Sequence, residues 1–289
     1  METDFSAPRR RVLTGSLAIA AAGGLPAAVR AAGRPVFAIV PYLPARRLVN
    51  LYAPLLPVIE GIIGQKVEMT SAPDYREHLS RLRAGGYDIV ADSMIHARIA
   101  QRELGHVPIA RTRAPLEPVL VVRADTTLVS LQGLRWGAIA IATTDRTASL
   151  AVIGLRFLRD AGHVAGRDYR LVVTGSHANS VQRLLAGDVE AAIVSRTTLA
   201  QIDAALAGRV RILTPLGQGL AAVIYHVAPR LAGEAPRLTR ALLEFAAQPQ
   251  GRTFVAALKH EGLVPVTADE MASLDPFVVE FYRQMREEA

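Results

Sequence analysis

The chain has 289 residues, of which 51% are hydrophobic and 20% charged, and its formal net charge is +7. This length allows two globular domains with a sizeable core. Because cysteine is absent, disulfides, thiolate metal sites, a cysteine nucleophile and a lipid-modified N-terminal cysteine are excluded. The arginines are scattered beside acidic residues and form no basic run with interleaved aromatics, so we expect no binding to nucleic acid.

The first residues are typical of an export signal. Arg9, Arg10 and Arg11 precede a mildly apolar stretch of alanine and glycine, and small residues suited to a signal peptidase lie around Ala31. The segment resembles a twin-arginine export signal. An uncleaved membrane anchor is the alternative, although glycine and proline make the stretch less apolar than a spanning helix. We expect residues 1–31 to be a twin-arginine-type signal and the mature protein to work in the periplasm.

Predicted strands and helices alternate along the rest of the chain. Residues 48–63 carry apolar side chains at helical spacing, and further segments show the same period. Short apolar runs bounded by turn residues are predicted to be strands: 36–40, 66–71, 87–93, 137–142, 169–175 and 189–195. Because helical patterns separate these strands, the order predicts parallel sheets covered by helices.

Two further apolar strands are predicted where the chain crosses between domains. Residues 117–123 leave the first α/β unit, and residues 220–228 follow the second. A chain that crosses twice forms two lobes that can close on a ligand at a hinge. We therefore expect a two-lobed α/β protein in which each lobe is a mainly parallel sheet flanked by helices. Residues 32–122 and 220–289, with C-terminal helices, form the first lobe, and residues 123–219 form the second.

Hydroxyl groups and one imidazole occupy the turns after two strands of the second lobe. The first turn reads TTDRTAS from residue 143, and the second reads SHANS from residue 176. In an open α/β sheet, ligands lie beyond the carboxyl ends of the strands, where the N–H groups of the following helices converge. The pattern therefore favours binding of a small anion over a reaction.

Four segments resemble, in order, one family of binding proteins. The first runs YAPLLPVIEGIIGQKVEMTSAPDYREHLSRLRAGGYDIV from Tyr52, the second LQGLRWGAIAIATTDRTAS from Leu131, the third GSHANSVQRLLAGDVEAAIVS from Gly175 and the fourth QGRTFVAALKHEGLVPVTADE from Gln250. They are similar to the substrate-binding proteins of phosphate, phosphite and phosphonate ABC transporters. The resemblance covers about residues 35–282 and implies the fold of a type II periplasmic binding protein.

The resemblance also implies which residues of the second lobe hold the ligand. In the family, hydroxyl and N–H groups of the turn before the second-lobe helix bind the oxyanion. In this chain Thr143, Thr144, Thr147 and Ser149 occupy that turn, and His177 lies in the segment that carries a ligand-binding histidine. Helix capping is the alternative role for the threonines and the serine.

The first lobe is expected to supply the opposite wall. Tyr42 could contact the organic part of the ligand, while Asp92 and Ser93 end a strand that would face the cleft. Rim packing and helix capping are the alternatives for these residues. Ser195 stands where phosphonate binders of the family tend to carry an acidic residue. This difference favours a simple oxyanion over an aminophosphonate and leaves an unrelated small molecule open.

No catalytic or cofactor motif accompanies these residues. Gly175-Ser176-His177 lacks the spacing of a nucleophile elbow, and a His-Glu-x-x-His motif, a Walker loop and a dinucleotide fingerprint are absent. The other histidines lack the spacing of a metal-binding pair: His78, His96, His106, His163, His226 and His260. We expect no cofactor, no metal and no enzymatic activity, although the fold also serves enzymes.

Together these features predict a monomeric periplasmic solute-binding protein. It would close on a small oxyanion resembling phosphate, phosphite or phosphonate and deliver it to an ABC permease. A ligand that contacts both lobes only in the closed form shifts the population toward that form. The alternative is a sensory protein that docks, when closed, on the periplasmic domain of a histidine kinase. An enzyme on the same fold is the less favoured alternative.

Overall fold

A computed structural model describes residues 33–137, 139–202 and 204–288. The signal expected at residues 1–31 lies outside the described residues. Within the part that is described, no helix combines the length and apolar character needed to cross a membrane.

The elements follow the chain as alternating strands and helices. The strands are β1 (Val36–Ile39), β2 (Glu68–Ser71), β3 (Ile89–Asp92), β4 (Val107–Thr112), β5 (Pro118–Arg123), β6 (Ile139–Thr143), β7 (Tyr169–Val173), β8 (Ala191–Ser195), β9 (Val210–Pro215), β10 (Ile224–Val227) and β11 (Leu263–Val264). The helices are α1 (Ala45–Tyr52), α2 (Leu56–Ile63), α3 (Tyr75–Arg83), α4 (Met94–Leu104), α5 (Ser149–Asp160), α6 (His177–Ala186), α7 (Arg196–Leu199), α8 (Ala204–Ala207), α9 (Ala235–Ala247), α10 (Pro249–Leu258), α11 (Ala268–Ala272) and α12 (Asp275–Glu288).

Two mixed sheets form the centres of the two lobes. The first has six strands in the order β11-β4-β10-β3-β1-β2, and the second has five in the order β7-β6-β8-β5-β9. Strands β2, β1 and β3 are parallel, as are β7, β6 and β8. Strands β1, β3, β6 and β8 are buried along their whole length because helices cover both sides of each sheet, whereas the edge strands β2 and β7 are partly exposed. The expected two-lobed α/β fold is confirmed.

Each sheet is less parallel than expected because the strand that follows a crossing between the lobes runs antiparallel to its neighbours. Strand β10 enters the first sheet antiparallel to β3 and β4, and β5 enters the second antiparallel to β8 and β9. Since β5 pairs in the second sheet, the first crossing lies between Thr112 and Pro118. The boundary expected after residue 122 is therefore too late. The second crossing runs from Pro215 to Ile224, the interval that contains the other expected boundary.

The two crossings lie side by side. The backbone N–H of Gly219 donates to the Leu116 carbonyl at 2.7 Å, and that of Ala222 donates to the Ala114 carbonyl at 3.2 Å. Gly219 also packs closely against Met94 of α4 and Ile153 of α5, one from each lobe. The hinge region is therefore tightly packed.

The C-terminal helix α12 contacts both lobes, whereas the sequence placed it with the first lobe alone. Its first residue, Asp275, accepts a hydrogen bond from Arg98 Nε of α4 at 2.8 Å. Three turns later, Gln284 Nε2 donates to the Val152 carbonyl of α5 at 3.2 Å. Helix α12 therefore bridges the first lobe and the second.

Candidate ligand-binding cleft

A cavity of about 40 Å³ lies between the two lobes. Its polar lining consists of Tyr42, Tyr75, Ser93, Ser149, His177, Ser195, Thr197, Thr198 and His260. Its apolar lining consists of Val40, Leu116, Ala148, Leu150, Ala222 and Val223. None of the described residues that line it is a lysine, arginine, aspartate or glutamate. The volume exceeds the roughly 10–15 Å³ that one water needs, and it restricts the ligand to a few non-hydrogen atoms.

Several helices begin at this cavity. Helix α4 follows Ser93, α5 starts at Ser149, α6 starts at His177 and α7 follows Ser195. In a strand-to-helix connection the helix N-terminus faces the carboxyl end of the sheet, and its first N–H groups have no partner within the helix. The partial positive charges of these termini favour a negative ligand.

His177 presents a neutral imidazole at the start of α6. Ser176 caps this helix, since its Oγ accepts from Asn179 N at 3.1 Å. The ring Nδ1 accepts from the backbone N–H of Ser195 at 3.4 Å. Burial lowers the pKa of His177 to about 3. The ring is therefore uncharged at neutral pH, and its proton is on Nε2, which can donate to a ligand.

Two polar atoms of the first lobe are buried at the cavity without a protein partner. Ser93 Oγ and His260 Nδ1 make no hydrogen bond to any described residue. Burial also lowers the pKa of His260, to about 4, so this ring is neutral. Buried polar groups are ordinarily hydrogen-bonded. A polar ligand that reached these two atoms would supply the hydrogen bonds that they lack.

Tyrosines complete the polar wall of the first lobe. The hydroxyl groups of Tyr42 and Tyr52 lie 3.4 Å apart. Burial raises the pKa of Tyr42 to about 12 and raises that of Tyr75 further. Both phenols therefore remain protonated and can act as donors.

The lobes contact each other on both sides of the cavity. On one side, Ile95 N donates to Ser149 Oγ at 3.1 Å, and His96 Nε2 lies 2.9 Å from the Thr147 carbonyl. On the other side, Arg47 donates to the Gln201 carbonyl at 2.8 Å, and Gln201 Nε2 donates to the carbonyl of Leu258 at 2.6 Å. The structure is therefore a closed form.

The structure brings five of the nine candidate residues to the cavity: Tyr42, Ser93, Ser149, His177 and Ser195. Thr143 and Thr144 are buried, and their hydroxyl groups lack partners in the described part of the chain, but they do not line it. Thr147 turns away, because its backbone N–H and its hydroxyl both donate to Asp145 Oδ1 at 2.7 Å.

Asp92, the remaining candidate, lies behind the cavity within a group of histidines. Its Oδ1 is 3.2 Å from His78 Nε2 and 3.5 Å from His96 Nδ1, and its Oδ2 is 3.3 Å from His226 Nε2. Burial opposes ionisation, but the histidines outweigh it and hold the pKa of Asp92 well below its usual range. The sequence spacing of these histidines does not predict this group, because α3, α4 and β10 bring them together around β3.

Sequence reasoning missed part of the lining. Thr197 and Thr198 follow directly after strand β8, so the rule that ligands lie beyond strand ends could have found them. Tyr75 starts helix α3, and His260 follows α10. No local pattern marks these two residues, because the folding of the first lobe brings them to the cavity.

The pattern of the family described as "ABC transporter, phosphonate, periplasmic substrate-binding protein" matches residues 37–271. No protein with a curated description matches the sequence.

Solved structures share the fold at low sequence identity. The binding protein component of an ABC phosphonate transporter from Pseudomonas aeruginosa has a TM-score of 0.75 at 15% identity, covering 87% of this chain and 88% of that chain. PhnD1 from Prochlorococcus marinus, in complex with methylphosphonate, has a TM-score of 0.75 at 11% identity, covering 86% and 98%. A Xanthomonas citri protein bound to ATP has a TM-score of 0.69 at 18% identity, covering 87% and 98%.

Proposed function

Because the chain belongs to the family of periplasmic substrate-binding proteins of phosphonate ABC transporters, we propose that it binds a small phosphonate between its lobes. The family is one of transport proteins that bind substrate, not of enzymes. The observation that carries the proposal is the chemistry of the cavity, whose described lining has neutral hydrogen-bond donors on both lobes and no charged side chain.

Neutral donors can hold an oxyanion without an arginine or lysine. Hydroxyl groups of Ser93, Ser149 and Ser195 surround the cavity, and His177 offers Nε2–H. Hydrogen bonds to an ionised acceptor are about twice as strong as neutral ones, and the helix N-termini add favourable dipoles. A phosphonate group fits this set because its three oxygens accept donors from several directions.

The apolar side of the cavity favours a short organic group on the phosphorus. Val40, Leu116, Leu150 and Val223 offer contacts for an alkyl group but no polar partner. Methylphosphonate, which the Prochlorococcus protein binds, has the appropriate size. An aminophosphonate would bury its ammonium group without a carboxylate from the lining, which is costly. We therefore expect methyl- or ethylphosphonate to bind better than 2-aminoethylphosphonate.

Closure supplies the transport mechanism. The donors of Ser93 belong to the first lobe and those of Ser149 and His177 to the second, so a ligand contacts all of them only when the lobes are closed. Ligand binding then shifts the population toward the closed form, which docks on an ABC permease. The protein acts as a periplasmic monomer exported through the twin-arginine-type signal of residues 1–31. Its first lobe comprises residues 32–117 and 220–289, and the second residues 118–219.

Thermal unfolding against a ligand panel tests the proposal. The panel contains phosphate, phosphite, methyl- and ethylphosphonate, 2-aminoethylphosphonate, sulfate and ATP. A ligand at one hundred times its dissociation constant stabilises the native state by about 2.7 kcal/mol, which raises the midpoint by roughly 5–10 °C. We expect the alkylphosphonates to give the largest rise. ATP should give none, because it exceeds the cavity.

Matched variants locate the binding site. Ser149→Ala and His177→Ala should reduce the rise by half or more, whereas Ser273→Ala and His163→Ala, which lie outside the cavity, should retain it. Folded wild-type protein that responds to no phosphorus oxyanion would refute the ligand assignment while leaving the family and the fold intact.

A further inference from the structure

The cluster around Asp92 has the composition and spacing of a metal site. His78, Asp92 and His96 are fully buried, and each offers a ligand atom within 4.8 Å of the others. The separations from Asp92 Oδ1 are 3.2 Å to His78 Nε2 and 3.5 Å to His96 Nδ1. In a tetrahedral zinc site with bonds near 2.1 Å, neighbouring ligand atoms are about 3.4 Å apart. The two separations from Asp92 Oδ1 match that distance.

The tautomer of His96 leaves a lone pair facing the carboxylate. Its Nε2 lies 2.9 Å from the carbonyl oxygen of Thr147, which can only accept, so Nε2 carries the proton. In the neutral ring Nδ1 then carries a lone pair, and it faces the ionised Oδ1 of Asp92. Nδ1 has no hydrogen-bond partner among the described residues. A cation placed between these two atoms would coordinate both of them.

The separation between His96 Nδ1 and Asp92 Oδ1 suits a shared metal ion better than a direct hydrogen bond. A protonated His96 would form a charge-assisted hydrogen bond to Asp92, for which the nitrogen–oxygen separation is about 2.7–2.9 Å. The observed 3.5 Å is longer. The ring of His78 is stacked on that of His96 at 6.1 Å, and its Nε2 faces the same carboxylate oxygen. Two imidazoles thus converge on one side of Asp92 Oδ1.

The groups around His96 and Asp92 also suit a metal site, whereas His78 Nδ1 makes no hydrogen bond to any described residue. Metal-bound histidines usually donate their other N–H to a carbonyl or a carboxylate, and metal-bound carboxylates are themselves hydrogen-bonded. Here His96 donates to the Thr147 carbonyl. Asp92 Oδ1 accepts from Ser93 N at 2.7 Å, and Oδ2 lies 3.3 Å from His226 Nε2. His226 Nδ1 in turn lies 2.8 Å from His106 Nδ1.

We propose that His78, Asp92 and His96 form a binding site for a divalent transition-metal ion, with two imidazoles and one carboxylate as ligands. Imidazole and carboxylate ligands suit Zn²⁺ and related ions. The site is separate from the phosphonate cavity and does not depend on which ligand that cavity takes. Because Thr147 belongs to the second lobe, opening of the lobes would remove this contact from His96.

Binding of Co²⁺, which takes zinc sites and absorbs visible light in tetrahedral coordination, tests the proposal. The full chain, without an affinity tag, is stripped with a chelator and titrated with Co²⁺ and then with Zn²⁺. We expect one Co²⁺ per chain, with tetrahedral absorption bands that Zn²⁺ abolishes. His78→Gln and His96→Gln should weaken binding at least tenfold, and the control His163→Gln should bind like the wild type. Equal binding by all three folded variants would overturn the site.

A measurement on the wild type alone covers the case in which the cluster variants do not fold. Nitrogen-15 NMR of the histidine rings distinguishes a metal-bound Nδ1 from a protonated one. The metal site predicts that Zn²⁺ shifts the Nδ1 resonance of His96 while Nε2 keeps its proton. A doubly protonated His96 that does not respond to Zn²⁺, in folded protein without Co²⁺ absorption, would overturn the proposal.

Discussion

A methyl group added at Gly219 should disfavour the closed form of the protein by a steric clash at the hinge. A Cβ atom there would lie 2.6 Å from Met94 Sδ and 3.0 Å from Ile153 Cδ1. Met94 is on α4 of the first lobe and is fully buried, and Ile153 is on α5 of the second. The backbone of Gly219 does not need a positive φ, so Gly219→Ala adds a steric clash without a conformational penalty.

The clash should weaken ligand binding more than folding. Overpacking of this kind costs about 1–3 kcal/mol, and opening the lobes relieves it by separating Met94 from Ile153. Since about 1.4 kcal/mol corresponds to a tenfold change in an equilibrium constant, the closed form and the affinity should fall roughly 5- to 150-fold.

Calorimetry with methylphosphonate and small-angle scattering of the ligand-free protein measure the two effects. Gly219→Ala should bind more weakly and have a larger radius of gyration than the wild type. Gly61→Ala is the matched control, because no described atom lies within 4 Å of its added Cβ. A folded Gly219→Ala protein with wild-type affinity and wild-type scattering would refute the inference that closure requires close packing at the hinge.

Three further substitutions have different expected outcomes. Ser93→Ala removes a buried hydroxyl without a partner in the described chain, so thermal unfolding should show unchanged or higher stability. Calorimetry should show about tenfold weaker phosphonate binding, because the ligand loses one hydrogen bond. Gln284→Ala removes the bond from α12 to Val152 and should lower the free energy of unfolding in urea by about 1 kcal/mol. His177→Gln should make stability less sensitive to acid. Burial lowers the pKa of His177 from 6.5 to about 3, so only the unfolded state gains this proton between those pH values. The stability of the wild type therefore falls as the pH falls through that window.

Each of these predictions has its own control. For Ser93, weaker binding together with a large loss of stability would indicate a structural role. For Gln284, the exposed Gln182→Ala should leave urea unfolding unchanged, and an equal effect of both variants would contradict the bridging role of α12. For His177, urea unfolding is compared between pH 7 and pH 4, and identical acid sensitivity of variant and wild type would show that the ring is protonated in the native state.

The repeating strand–helix pattern predicts most of the fold because it is a local property. It misses strands β4 and β9, which pair antiparallel with the crossing strands β10 and β5. Such pairing depends on residues that are distant in the sequence. The apolar spacing of residues 48–63 predicts one helix. The structure divides it into α1, a short 3₁₀ segment and α2, because Pro54 and Pro57 each lack the N–H that a continuous helix needs.

The site is predictable only where it follows the ends of strands. Ser93, Ser149 and Ser195 lie there, and all three line the cavity. His260 reaches the cavity through the packing of the first lobe, which no local pattern encodes. The cluster at Asp92 is likewise hidden, because its histidines come from separate elements that meet only in the folded chain.

Titration calorimetry of the purified protein with methylphosphonate tests the central claim most directly. The account predicts saturable binding at one site per chain, at least tenfold weaker in both Ser149→Ala and His177→Ala and unchanged in Ser273→Ala. Absence of binding to folded wild-type protein, or equal affinity in all four proteins, would contradict it.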